Sequence, residues 1–268
     1  MPNRREILMA GTATFLGCCG CRSAPVTGRP QLKLIPTSLE LQLGQQSFNE
    51  VVQSVPASQN ALWQQIVSRV GQRIAAEANQ PKFQWDFRLL ADQTQNAFCL
   101  PGGKVAIYEG IIPACQNEAG LAVVMSHEIA HAIAHHGAER MSQQAGVSGV
   151  STMLGWMMND VTPATKQLAM QAFGTGARYG LLLPYSRKHE TEADEIGLML
   201  MARAGYDPSE APLFWGRFAQ AGSSNTPEWA STHPSDDRRA TELTAKLPTA
   251  HSLYESSPYR FGKGETLV

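Results

Sequence analysis

Two histidines four residues apart, with a glutamate directly after the first, stand at His127-Glu128-Ile129-Ala130-His131. On a helix of 3.6 residues per turn the two imidazoles share one face, a turn apart, so both can bind a single metal ion. Glu128 then lies beside the ion, where its carboxylate reaches a water and can serve as a general base in hydrolysis. A catalytic zinc wants three protein ligands and one open position, so a third ligand must come from elsewhere in the chain.

The nearest candidates fail on distance. His135 lies about 12 Å of helical rise beyond His127, too far for bonds of about 2 Å to one ion. The metzincin arrangement breaks the helix at a glycine soon after the second histidine, and none stands between His131 and His136 here, so His135 and His136 are read as non-ligands. A second source is Ser186-Arg187-Lys188-His189-Glu190-Thr191-Glu192-Ala193-Asp194-Glu195-Ile196-Gly197, opening a helix that runs to about Ala204 and stops at Gly205. Glu190 shares a face with Ala193, Gly197, Leu200 and Ala204, an inward stripe. A buried carboxylate needs a partner, and zinc would supply one. Asp194, one turn on, is placed to accept the second ring N–H of a zinc-bound histidine, His127 first. Glu192 and Glu195 are read as a solvated acidic face. The structural alternative for Glu190 and Asp194 is a pair of salt bridges to Arg187 or Lys188.

A third element is Ser231-Thr232-His233-Pro234, with Pro234 in the first turn of a helix ending near Leu247. His233 and Arg239 are candidates for stabilising the oxyanion of a tetrahedral intermediate. A histidine on a surface loop is an equal reading of His233.

These residues have to be carried by a core. A helix is expected from about Glu118 to Met141 with Asn117 as its cap. Leu39, Leu43, Ile66, Val70 and Ile74 recur at helical spacing, giving two helices between Ser38 and Ala78 interrupted near Pro56. Residues 83–89 alternate apolar and polar side chains, and Lys104 to Tyr108 follows a Pro101-Gly102-Gly103 turn, so both read as strands of a small sheet. Residues 146–180, rich in small residues and Met, are read as loosely packed helix that could act as a mobile lid. The tail beyond Pro258 is expected to fray.

A length of 268 residues with 43% hydrophobic content supports one sizeable core. A net charge of -1 and no long basic run exclude the footprint of a nucleic-acid binder. Arg4 and Arg5, an apolar stretch from Ile7 to Leu16 and then a cysteine cluster have the layout of a signal peptide. Asn3-Arg4-Arg5-Glu6-Ile7-Leu8 fits either a twin-arginine signal or a general secretory one, and Phe15-Leu16-Gly17-Cys18 resembles a lipobox. Cys18 is the preferred lipid site, with Cys21 as its rival. No aspartate follows either cysteine, which favours sorting to an outer membrane. Cys99 and Cys115 are read equally as a disulfide in an oxidising compartment or as buried free thiols.

Taken together, Pro25-Val26-Thr27-Gly28-Arg29, Asn96-Ala97-Phe98, Leu100-Pro101-Gly102-Gly103, His127 to His131, His136-Gly137-Ala138-Glu139-Arg140-Met141, Glu190 to Asp194 and Thr232-His233-Pro234 resemble the HtpX and CAAX-prenyl-protease type of gluzincin zinc metallopeptidases, in their bacterial lipoprotein branch of Oma-like, LoiP-like and BepA-like members. The resemblance implies an α+β, mainly helical zincin-like domain whose small sheet carries a substrate-binding edge strand at Asn96, Ala97 and Phe98. It implies Zn2+ on His127, His131 and Glu190, with Glu128 as general base. In such members the histidine matching His233 can take the fourth zinc position and hold the enzyme latent; the Arg239 position also matches. Cys99 and Ala130 depart from the residues expected there, and neither touches a ligand. The transmembrane helices and tetratricopeptide domain of some relatives have no counterpart.

The expected division is a signal peptide with lipobox at 1–21, a linker at 22–36, a metallopeptidase domain at 37–250 and a tail at 251–268. The expected role is a membrane-tethered endopeptidase on the periplasmic side of a bacterial envelope, cleaving misfolded or misassembled envelope proteins. Its expected partners are protein or peptide substrates, the membrane and outer-membrane assembly machinery. The rival from another class is an envelope lipoprotein acting as a chaperone or scaffold around a closed, structural four-ligand zinc site. Chelator-sensitive cleavage of an unfolded protein separates the two.

Overall fold

A computed structural model of the chain describes residues 21–148, 155–156, 158, 161–173, 185–221, 229, 233 and 237–267. Residues 1–20 of the expected leader, with Cys18, lie outside them, as does much of the segment read as a lid.

Helix α1 (Thr37–Ser54) buries Leu39, Leu43, Phe48 and Val51, and α2 (Ala61–Glu77) buries Ile66, Val67, Val70 and Ile74, the one-face pattern expected for this stretch. Asn60 caps α2 by accepting the backbone N–H of Trp63. The sheet behind them has the order β3 (Asp86–Leu90), β5 (Lys104–Tyr108), β4 (Ala97–Leu100). β5 runs parallel to β3 and antiparallel to β4, so among the described residues β4 lies at one edge of the sheet. Phe83 and Trp85 precede the strand rather than joining it. Trp85 stacks on Phe87 and covers Gly103, where a side chain would collide with the indole.

Helix α3 (Glu118–Ile133) is buried at every position, its polar residues Glu118, Ser126, His127, Glu128 and His131 included. Asn117 caps it by accepting the N–H of Gly120. The helix does not continue to Met141 as expected. It stops at Ala134, His135 adopts a left-handed conformation with φ of 56°, and α4 (His136–Ser148) starts afresh. That conformation usually calls for glycine. Here the His135 ring is held by Glu40 Oε1 at 2.9 Å, and its carbonyl accepts the N–H of Glu139 in the new helix.

After α5 (Pro163–Ala172), capped by Thr162, comes α6 (Arg187–Arg203), capped by the Ser186 hydroxyl. Its stripe of Glu190, Ala193, Gly197 and Leu200 is buried against α3. At Gly197 the two backbones nearly touch: an added Cβ would lie 3.0 Å from the His127 nitrogen and 3.1 Å from the Ser126 carbonyl carbon. Helices α7 (Glu210–Ala221) and α8 (Asp237–Ser256) close the other side. α8 runs beyond the expected end near Leu247 despite Pro248 in its interior. Ala250 is fully buried and Leu253 and Tyr254 pack on the core, which offsets the lost backbone bond.

Both ends of the described chain differ from expectation. Residues read as an extended linker form a hairpin of β1 (Cys21–Ser23) and β2 (Pro30–Leu32), and Gln31 donates to the Ala134 carbonyl at 2.6 Å. The tail does not fray. The carbonyls of Glu265 and Lys263 accept the N–H groups of Glu118 and Ala119, which open α3 and have no partner within the helix. Cys99 and Cys115 are free, buried thiols. No helix among the described residues is long and apolar enough to cross a membrane.

Candidate metal centre

Helix α3 delivers His127 and His131, α6 delivers Glu190, and His233 comes from the segment ahead of α8. One ligating atom from each of the four lies within 4.8 Å of the others. The two Nε2 atoms of α3 are 3.1 Å apart, and Glu190 places one oxygen 3.4 Å from each of them. His233 Nδ1 lies 3.2 Å from His127 Nε2 and 3.1 Å from Glu190 Oε1. All four residues are buried. His135 and His136 stay outside this group; His135 turns to Glu40.

The ring protons indicate what the group can hold. Asp194 Oδ1 is 3.0 Å from His127 Nδ1; a carboxylate only accepts, so Nδ1 carries the proton and a neutral ring leaves Nε2 bare. His131 Nδ1 is engaged by His136 at 2.9 Å, which turns its Nε2 to the centre as well. Two bare lone pairs 3.1 Å apart beside a carboxylate repel unless a cation stands between them. Burial opposes a charged His127, yet Asp194 and Glu190 raise its pKa to about 9, so a cation entering the centre must displace the Nε2 proton to take that lone pair. His131, buried beside it, falls well below the usual histidine range, although Glu190 pulls the other way. Burial resists ionised Glu190 too, but His233 and Arg239 hold it well below the usual carboxylate range. The set of imidazoles with one carboxylate suits a divalent ion of the zinc type.

Arg239 sits within the same core. It grips Asp194 through two hydrogen bonds of 2.6 and 2.7 Å, reaches Glu190 Oε2 at 2.9 Å and lies 3.3 Å over the Trp215 ring. Arg187 and Lys188, the alternative partners weighed for those carboxylates, lie on the exposed side of α6. Glu128 is buried 3.4 Å from His233 Nε2, and its Oε1 accepts the indole N–H of Trp229 at 2.7 Å. Trp229 in turn donates its backbone N–H to Gln95, and its carbonyl accepts that of His233. The segment bearing His233 is thereby pinned beside Asn96 and the start of β4. Asn96 is buried and turns its amide oxygen to the N–H of Ala97, while Ala97 and Phe98 pair with β5.

Residues 61–247 match the model of the family described as Peptidase family M48. The chain belongs to this family. M48 members similar to it include the mitochondrial metalloendopeptidase OMA1 of Schizosaccharomyces pombe, 36% identical over 238 residues that cover 87% of this chain and 68% of that one. OMA1 of Saccharomyces cerevisiae is 33% identical over 87% of this chain and 71% of its own. The β-barrel assembly-enhancing protease of Escherichia coli is 29% identical over 85% of this chain, but the match spans only 48% of that protein. As an M48 member the chain is a metalloendopeptidase acting on protein substrates, which removes the reading of a non-enzymatic scaffold.

Sequence reasoning missed two features. Glu192, expected in solvent, is buried and bound by Thr27, Arg29 and His136, because the N-terminal hairpin covers that face of α6. Trp229 carried no motif; it lies far from Glu128 in sequence, and no spacing rule connects them. The available signal was the density of histidines just after the first motif, more than a surface helix requires.

Proposed function

We propose that this chain is a zinc-dependent endopeptidase tethered to a bacterial envelope membrane, which cleaves misfolded or misassembled envelope proteins. The observation that carries it is the pair of inward-facing imidazole nitrogens 3.1 Å apart beside Glu190. His127, His131 and Glu190 hold the ion. Asp194 fixes the ring proton of His127, and Arg239 balances the two carboxylates. Zinc, when bound, supplies the Lewis acidity that makes a water acidic near neutral pH and polarises the scissile carbonyl. Glu128 takes a proton from the attacking water and passes it to the leaving amine.

His233 acts as a latch, occupying the fourth position among the ligating atoms and withdrawing when substrate enters. Substrate backbone pairs with the side of β4 that faces away from β5, around Asn96, Ala97 and Phe98, a mode that accepts many sequences. A lipid on Cys18, or on Cys21, ties the domain to the periplasmic side of the outer membrane. The relatives named for β-barrel assembly support a role beside outer-membrane assembly machinery. Other relatives are named mitochondrial, so the envelope location in this reading rests on the leader and not on the domain.

Metal analysis paired with casein cleavage tests this reading. The expected outcome is about one zinc per chain, cleavage abolished by chelator, and a Glu128→Gln variant that keeps fold and metal but does not cleave. Wild-type turnover in Glu128→Gln would remove its role as base. His233→Ala should raise basal cleavage; a loss of activity would instead favour oxyanion support by His233.

A further inference from the structure

The N-terminal hairpin is connected to the metal centre by an unbroken line of hydrogen bonds. Arg29 donates from Nε to Glu192 Oε2 at 2.6 Å and from both terminal nitrogens to Glu139, at 2.6 and 3.1 Å. Thr27 donates its hydroxyl to the other oxygen of Glu192. Glu192 Oε2 is 3.0 Å from His136 Nε2, and His136 Nδ1 is 2.9 Å from His131 Nδ1. His136 is fully buried, and it can face back toward His131 only because His135 breaks the helix between them.

We propose that His136, Glu192 and Arg29 are positioning residues that hold the His131 imidazole in its metal-binding orientation, so that the N-terminal hairpin completes the centre from outside. The proton order follows from the acceptors. Glu192 accepts only, so the His136 proton sits on Nε2. Its Nδ1 is then bare and accepts the N–H of His131 Nδ1, which leaves His131 Nε2 with its lone pair on the ion. His127 meets its carboxylate, Asp194, directly, whereas His131 meets one through an intervening imidazole. Outer partners of this kind fix ring orientation and raise ligand basicity.

The inference rests on His131 being a metal ligand, and its test separates the two claims. Zinc affinity is measured by competition with a chromophoric chelator for the full chain and for His127→Ala, His136→Ala, His136→Asn and Arg29→Ala, with far-UV circular dichroism of each apo form as the folding control. His136→Ala should weaken zinc binding about 10- to 100-fold. His136→Asn should recover most of that loss, because its amide oxygen can accept from His131. Arg29→Ala should weaken binding by a smaller factor. Wild-type affinity in His136→Ala or in Arg29→Ala overturns the relay, and so does a His136→Asn variant as weak as His136→Ala. Should His136→Ala fail to fold, the asparagine variant must bind nearly as wild type, and Arg29→Ala more weakly, for the relay to stand. If His127→Ala binds zinc as tightly as wild type, the metal site itself is misassigned.

Discussion

The indole N–H of Trp229 donates to Glu128 Oε1 at 2.7 Å, and the Trp229 carbonyl accepts the backbone N–H of His233. The segment that brings a fourth donor to the metal cluster thus also occupies the carboxylate proposed as base. Trp229 stacks on Trp215, and both rings stand edge-on to His127, so the segment is seated by aromatic packing as well as by that bond.

Replacing Trp229 with Phe keeps an aromatic ring in place and removes the donor, together with part of the buried ring volume. A hydrogen bond to a charged group contributes about 1.5–3 kcal/mol, so its loss should shift the latch toward release by about tenfold or more. Basal casein cleavage is expected to rise in Trp229→Phe with zinc content unchanged. Cleavage at or below the wild-type rate would mean that the indole does not restrain Glu128.

Asp194 joins His127 to Arg239. Asp194→Asn removes the charge that Arg239 grips and weakens the acceptor for the His127 proton, so zinc affinity should fall about 10- to 100-fold. Activity should return in part at high zinc. Zinc titration of the variant decides the point, and affinity equal to wild type would confine Asp194 to packing.

Glu40 and Lys33 form a buried ion pair at 2.7 Å, with His135 on the other carboxylate oxygen. Burial resists ionisation of Glu40, but His135 and Lys33 outweigh it and hold its pKa below the usual 4.5. A depressed folded value means that this stabilisation is complete above the unfolded pKa and fades as pH falls through the folded one. Glu40→Gln strands Lys33 and should cost about 3–5 kcal/mol at neutral pH, as when a buried pair loses one partner. Thermal unfolding followed from pH 7 downward should show the gap between wild type and variant closing below about pH 4.5. A gap that stays constant through that range would refute the assignment.

The thiols of Cys99 and Cys115 are pushed up by burial, so little thiolate exists at neutral pH. Iodoacetamide should leave both unmodified in the folded chain and label both after unfolding, as read by peptide mass spectrometry. Labelling of either in the folded state would place it at the surface.

The clustering of His127, His131 and Glu190 was legible because their spacing follows helix geometry: the two histidines share a face, and Glu190 continues the stripe of Ala193, Gly197 and Leu200. Asp194 followed from the same periodicity one turn on. The break at His135 was not legible, since a histidine in a left-handed conformation depends on Glu40, a partner far away in sequence. Without that break, His136 reads as one more residue of a long helix, and Glu192 reads as solvated because nothing in α6 announces the hairpin above it. The mixed sheet was equally hidden, because strand patterns reveal alternation but not which edge meets which.

The near contact of the two main helices at Gly197 has a further consequence. The gap between the imidazole pair and the opposing carboxylate is gauged two turns along α6 from Glu190, by a residue that has only a hydrogen where others carry carbon. The separation of the two helices that carry the cluster is therefore set at a position whose own side chain takes no part in it, and any residue larger than glycine there would push them apart.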